Sequence, residues 1–330
     1  MRWFCVVTLV LITFAPVHGQ STEGQNPLRL IATISMPNVS GRIDHLALDS
    51  TRQRLFVAAL GNDSVEVIDA SKNVHLKSLG GFHEPQGIAA VPDLNAVAVA
   101  NGNSGTLQLL DAASLATRWT INIGGDADNL RYDAAAKRVF VAFQGGIALV
   151  DPASARVVQR IPINGHPESF QLASQGSRLF ANVPGVWASV LIAADRNAAT
   201  AVARWMTGAC QGNYPMALDE PAHRLFVGCR RPASLALFDS EAGKLLGAIP
   251  AVGDTDDVFY DAMRQRVYMI GGEGFIDVVQ RGGDSLRRIA RVATREGART
   301  ATWAAEQGRL YVAVPARRGQ PAEIRVFAPG

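Results

Sequence analysis

The stretch RLFVAALGNDSVEVID, residues 54–69, contains the pattern that decides the fold: two short apolar strands joined by a turn of Gly, Asn and Asp. The first of these strands recurs along the chain. Its seven copies are RLFVA (54–58), AVAVA (96–100), RVFVA (138–142), RLFAN (178–182), RLFVG (224–228), RVYMI (266–270) and RLYVA (309–313). Neighbouring copies are 40 to 46 residues apart, and such even spacing indicates a sevenfold structural repeat.

Each copy is surrounded by the same elements. An alternating strand such as HLALD (45–49) precedes it, and a polar turn such as STRQ (50–53) joins the two. A third strand that ends in Asp follows, as in IALVD (147–151), and a fourth often comes next, as in KLLGAIP (244–250). Four short strands per repeat are typical of propeller blades. The sequence therefore predicts an all-β fold, a seven-bladed β-propeller with four antiparallel strands per blade.

The two ends of the chain complement each other. The last repeat ends with EIRVFAPG (323–330) and lacks a fourth strand, whereas LRLIATISMP (28–37) precedes the first repeat and resembles an outer strand. We expect the N-terminal strand to complete the seventh blade and close the ring. Residues 28–330 would then form a single propeller domain.

The first 19 residues have the features of a signal peptide. Arg2 provides the positive charge, WFCVVTLVLITFAP (3–16) provides the apolar core, and VHG (17–19) ends in a small residue suited to cleavage. Residues 1–19 are therefore predicted to be removed, and residues 20–27 to form a flexible segment. The mature protein is predicted to be exported, either periplasmic or secreted, with no later membrane span.

Charge composition limits the classes of partner. The chain has 32 Lys and Arg against 29 Asp and Glu, a formal charge of +3. Proteins that bind nucleic acid or anionic membranes carry a larger or more clustered basic excess. Neither partner is favoured by this sequence.

The repeat also resembles a known family. The unit RLFVAALGNDSVEVIDASKNVHLKSL (54–79) resembles the YVTN-type repeat, and residues 28–330 as a whole resemble an exported YncE-like propeller. The sequence Tyr-Val-Thr-Asn never occurs intact; VANGN (99–103) and YVAV (311–314) are its nearest forms. The resemblance implies the seven-bladed fold and leaves the activity open, so function has to be argued from a site.

A propeller presents one residue per blade where its innermost strand enters the central channel. These mouth residues lie eleven positions before the second residue of each apolar run. They are Asp44, Gln86, Asp128, Glu168, Tyr214, Asp256 and Arg299. All are polar, and loops on the same face add Arg230 and Arg231. The intervening positions add His45, Asn129, Ser169, Asp257 and Thr300. We expect the mouth to bind a ligand, with Asp257 pointing away from it; the alternative is a solvated rim without chemistry.

Two kinds of chemistry are open to this mouth. Asp128, Glu168 and Asp256 could hold Ca²⁺ or Mg²⁺ between blades, whereas zinc or copper would want more histidines than His45 and His166.

The candidate catalytic residues are His45, His166, Glu168 and Asp256. A histidine could move a proton between a carboxylate and substrate while an arginine neutralises an oxyanion. The leading hypothesis is an exported propeller that binds a small polar or anionic ligand, or an extracytoplasmic protein partner, at the mouth. The alternative is a lactonase-like hydrolase or a lyase acting on a sugar acid or lactone at the same place.

Two cysteines remain after the predicted signal peptide. Cys210 and Cys229 both belong to the fifth repeat, near the mouth ends of its first two strands. An exported protein can keep a disulfide, so we predict that this pair is bonded; the alternative is two buried thiols.

Overall fold

Seven four-stranded antiparallel sheets surround a central channel. The computed structural model describes residue 1 and residues 26–185 and 189–330. Beyond Met1, the predicted signal peptide 1–19 lies outside the described residues, as does most of the segment 20–27. Among the described residues, no helix is long and apolar enough to cross a membrane.

The first four blades follow chain order from the channel outward. Blade 1 consists of β2 (Leu46–Asp49), β3 (Arg54–Ala59), β4 (Ser64–Asp69) and β5 (Val74–Leu79). Blade 2 consists of β6 (Pro85–Val91), β7 (Ala96–Asn101), β8 (Thr106–Asp111) and β9 (Thr117–Asn122). Blade 3 consists of β10 (Leu130–Asp133), β11 (Arg138–Phe143), β12 (Gly146–Asp151) and β13 (Arg156–Pro162). Blade 4 consists of β14 (Ser169–Leu172), β15 (Arg178–Val183), β16 (Val190–Asp195) and β17 (Thr200–Met206).

Blades 5 and 6 repeat the arrangement, and blade 7 combines both chain ends. Blade 5 consists of β18 (Gln211–Asp219), β19 (Arg224–Arg231), β20 (Ala233–Asp239) and β21 (Leu245–Pro250). Blade 6 consists of β22 (Thr255–Asp261), β23 (Arg266–Gly271), β24 (Phe275–Gly282) and β25 (Ser285–Ala293). Blade 7 consists of β26 (Ala301–Ala304), β27 (Arg309–Val314), β28 (Ala322–Pro329) and β1 (Leu28–Met36). Short 3₁₀ turns occur at Leu60–Asn62, Pro92–Leu94 and Ala305–Gln307.

The prediction of ring closure is confirmed. Strand β1 pairs antiparallel with β28, from Leu28 opposite Pro329 to Met36 opposite Ala322. Ile34 of β1 packs with Leu55 of blade 1 and Tyr311 of blade 7, so the first strand also fills the interface where the ring closes.

The core lies between blades rather than inside any one of them. Seven buried apolar clusters occur in the described chain, one at each interface between neighbouring blades. The second strand of each blade is buried on both faces, which is why it reads as an unbroken apolar run such as RLFVA. Outer strands such as β5 and β13 alternate exposed and covered residues, since one face meets solvent.

Candidate functional site

The start of the innermost strand is built in the same way in most blades. Two positions before the mouth residue, five blades place a residue in the left-handed region, namely Glu84, Asp126, Gly212, Asp254 and Gly297. This turn directs the following residues into the channel. The main-chain N–H groups of Asp44, Asp128 and Glu168 then donate to carbonyl oxygens of the second strand. Because the backbone conformation repeats from blade to blade, the mouth residues lie at the same depth in the central channel.

All seven predicted mouth residues surround one opening. They line a cavity of about 360 Å³ or the narrow pocket directly beneath it, and we call the two together the mouth cavity. Arg230 lines the mouth cavity as well. Arg231 does not line it; its side chain is exposed at the end of β19.

Three arginines gather around Asp256 on one side of the cavity. Arg230 Nη2 bonds Asp256 Oδ1, and Arg299 Nε lies 3.6 Å from Asp256 Oδ2. Arg42 Nη2 approaches the same oxygen to 4.0 Å. Arg299 also donates to Asp254 Oδ1 at 2.9 Å. We call Arg42, Arg230 and Arg299 the arginine wall.

The arginine wall has further hydrogen-bonding capacity. Asp256 Oδ2 and Arg299 Nε are both shielded from solvent, and neither has a hydrogen-bond partner among the described residues. The guanidinium of Arg230 stacks over the Tyr214 ring, 3.6 Å from its centroid, which fixes the direction of the fork. Burial raises the pKa of Asp256 to about 6, even though Arg230 acts in the opposite direction.

Carboxylates face the arginine wall across the cavity. These residues, which we call the acidic wall, are Glu84, Asp126, Asp128 and Glu168. They come from blades 2, 3 and 4, whereas the arginines come from blades 1, 5 and 7. Burial and the charge of Asp44 raise the pKa of Asp128 well above its usual range. The mouth therefore has an acidic side and a side on which arginines are paired with Asp44, Asp254 and Asp256.

Both histidines at the mouth favour the protonated form. Burial alone would lower the pKa of His166, but the hydrogen bond and charge of Glu168 raise it to about 9. Burial likewise opposes the charge and hydrogen bond of Asp257, which raise the pKa of His45 to about 10. Electrostatics thus favours a proton on both rings, whereas Asn129 Nδ2, 3.0 Å from His45 Nε2, is a donor that calls for a lone pair on that nitrogen.

Asp257 does not line the mouth cavity but faces the central channel below it, beside His45. A β-bulge separates Thr255 from Asp257, since these residues pair with the adjacent Gly271 and Ile270 on the next strand. The extra residue lets Asp256 and Asp257 both face the channel. Asp257 Oδ2 lies 3.5 Å from His45 Nδ1 and accepts the main-chain N–H of Ala301 at 2.8 Å.

The contact between His45 and Asp257 separates the mouth cavity from a second cavity deeper in the central channel, which we call the lower channel. His45 lines both, and the channel below has a volume of about 480 Å³ with walls of mixed polarity. Arg131, which sequence reasoning missed, also lines the lower channel; its guanidinium lies 5.5 Å from the centre of the Phe170 ring. The arrangement places a charged layer beneath the mouth.

A buried carboxylate outside the mouth anchors the segment that leads into β22, the strand that carries Asp256. Asp277 on β24 is fully buried and receives a two-pronged contact from Arg291, with distances of 2.7 and 2.8 Å. It also accepts the Val252 main-chain N–H at 2.8 Å. This interaction holds the start of the segment that leads into β22.

The cysteines lie beside the mouth on blade 5. Cys210 and Cys229 are joined in the structure, with their Cα atoms 5.2 Å apart. Both are buried next to the loop that leads to Tyr214. The cross-link therefore braces the part of blade 5 that supports Arg230.

Comparison with solved structures finds the same architecture in proteins of unrelated roles. A chain of the hydrazine synthase of Kuenenia stuttgartiensis superimposes with a TM-score of 0.74 and 15% identity, covering 86% of this chain and 98% of the other. A chain in a crystal structure of the mitotic checkpoint complex gives a TM-score of 0.76 and 13% identity, covering 97% and 98%. No protein-family model matches the sequence, and no curated protein is significantly similar to it. These likenesses establish the propeller fold and assign no activity.

Proposed function

We propose that this protein binds a small hydroxy acid, such as a sugar acid, in the mouth cavity. The division of the cavity into an arginine wall and an acidic wall carries the proposal. Arginine forks recognise carboxylates, and carboxylates accept hydrogen bonds from hydroxyl groups. A ligand with an anionic end and a hydroxylated end would satisfy both walls. A volume of about 360 Å³ suits a molecule of that size.

Unused polar atoms support the same ligand class. Arg299 Nε is a donor without an acceptor, and Asp256 Oδ2 is an acceptor without a donor, among the described residues. These two atoms are 3.6 Å apart. If they moved slightly apart, a carboxylate oxygen of one ligand could accept from Arg299 Nε while a hydroxyl group of the same ligand donates to Asp256 Oδ2. Buried polar groups favour any partner that completes their hydrogen bonds.

Replacement of Arg299 by Gln is expected to weaken D-gluconate binding by about 10- to 100-fold, the value of one charge-assisted hydrogen bond. Isothermal titration calorimetry would measure the affinity. Arg231→Gln is the matched control, because it removes the same charge from an exposed position outside the cavity. D-glucose, which lacks the carboxylate, should bind at least about tenfold more weakly than D-gluconate. Equal affinities for the two sugars, or equal losses in the two variants, would contradict the proposal.

We also propose that the protein is an exported propeller of the YVTN-repeat type, located in the periplasm or secreted. The charged, apolar and small-residue order of residues 1–19 supports export, and so does the paired state of Cys210 and Cys229. Expression in a bacterium with an intact export system should yield a mature chain that begins at Gln20. N-terminal sequencing checks this, and a mature chain that retains Met1 would refute it.

A further inference from the structure

Three side chains of the mouth cavity lie close enough together to bind one metal ion. Asp128, His166 and Glu168 each offer one donor atom, and these atoms all lie within 4.8 Å of one another. His166 Nδ1 is 3.4 Å from Glu168 Oε1. Two ligands bonded to one ion at about 2.0–2.2 Å with tetrahedral angles are separated by a similar distance.

The carboxylate of Asp128 gives independent evidence for a cation-binding site. Asp128 is only 6% exposed and lines both parts of the mouth cavity. Among residues 26–185 and 189–330, its carboxylate has neither a hydrogen bond nor an ion pair, and only longer-range charges act on it. A buried carboxylate without a partner is costly, and a cation in the cavity would remove that cost.

The second nitrogen of His166 is already held in place. His166 Nε2 lies 3.3 Å from the Asp126 carbonyl oxygen and 3.7 Å from Asp126 Oδ2. A metal ion would displace the proton from Nδ1, while an N–H at Nε2 still donates to these oxygens and directs the Nδ1 lone pair at Asp128 and Glu168. Histidine ligands of metals are generally oriented by such a contact from their other ring nitrogen.

We infer that Asp128, His166 and Glu168 form a three-ligand site for a first-row divalent metal ion of the Zn²⁺ or Mn²⁺ type. The imidazole ligand favours these ions, since Ca²⁺ and Mg²⁺ prefer sites made of oxygen alone. Asp256, which the sequence grouped with Asp128 and Glu168, belongs to the arginine wall instead. Three protein ligands leave coordination positions open toward the cavity.

The metal site stands independently of the organic ligand. Its test uses the metal alone, so loss of metal binding and loss of D-gluconate binding are separate results. A bound ion would lie in the same cavity as the arginine wall, within reach of the hydroxylated end of a hydroxy acid.

Untagged mature protein, stripped with a chelator and dialysed, should bind one Zn²⁺ or Mn²⁺ per chain in titration calorimetry, with the bound metal counted by elemental analysis. His166→Gln and Glu168→Gln should each weaken binding about 100-fold or more, and Asp126→Asn about 10- to 100-fold. His223→Gln is the control, because His223 is exposed in the turn between β18 and β19, at the other end of β19 from Arg230.

Asp128→Asn provides a second variant that keeps the shape of the side chain, and circular dichroism would show whether each variant folds. It should abolish metal binding while the protein remains folded. Absence of Zn²⁺ and Mn²⁺ binding would overturn the inference. So would binding that the His166 and Glu168 variants leave unchanged, or binding of Ca²⁺ or Mg²⁺ alone.

Discussion

Asp277→Ala is expected to lower the free energy of unfolding by about 2–3 kcal/mol, because a buried main-chain N–H loses its acceptor while the partly exposed Arg288 and Arg291 can turn to solvent. The substitution leaves the Val252 N–H without its acceptor and Arg291 without its partner, and it opens a cavity in blade 6. Urea denaturation followed by tryptophan fluorescence measures the change. Because Val252 leads into the segment that carries Asp256, ligand binding at the mouth should weaken as well.

Asp284→Ala supplies the matched control on the same blade. Asp284 pairs with Arg224 at the surface, where its side chain is 53% exposed, so its loss should cost far less stability than the loss of Asp277. Similar costs for the two alanine variants would show that Asp277 is not an anchor.

Asp257→Asn should destabilise the protein by about 3 kcal/mol at pH 7, the lower end of the range for a buried pair, since His45 can relieve its charge by releasing a proton. The asparagine oxygen can still accept the Ala301 N–H, so the change isolates the ion pair. The pKa of His45 is about 10 in the folded protein and near 6.5 when unfolded. The stabilisation from the raised pKa is therefore complete below about pH 6.5 and is lost as pH rises toward 10.

Urea unfolding at several pH values measures this dependence. The difference in stability between wild type and Asp257→Asn should shrink between pH 7 and pH 10. A double-mutant cycle with His45→Gln separates the pair from other titrating groups. A difference that stays constant with pH, or a cycle without coupling, would show that His45 carries no charge in the folded state.

The repeat and the ring closure were predictable because packing between blades imposes the same apolar run on every second strand. The apolar run RLFVA and its six counterparts are a direct consequence of that packing. The backbone of each blade follows from the same repetition, so counting back from the run located all seven mouth residues.

Side-chain directions and partners were less accessible from the sequence. The β-bulge at Thr255–Asp257 turned Asp257 toward the channel, and a strict alternation of strand faces cannot foresee that. Arg231 follows Arg230 directly, yet only Arg230 reaches the cavity. A signal for Asp277 did exist: an acid interrupts the apolar strand FIDVV (275–279) at the position that Glu66 occupies in blade 1.

The grouping of His166 with carboxylates was missed for a different reason. The presence of only two histidines at the mouth counted against transition metals in the sequence. The structure instead groups one histidine with carboxylates from blades 3 and 4. Only the three-dimensional arrangement shows that Asp256 lies with the arginines and not with that group.

A crystal structure of the mature protein soaked with D-gluconate would show directly whether the mouth cavity binds a hydroxy acid. One molecule should lie in the mouth cavity, with its carboxylate on Arg299 and Arg230 and its hydroxyl groups on the acidic wall. A mouth without gluconate at a saturating concentration, or gluconate bound only elsewhere on the propeller, would contradict it.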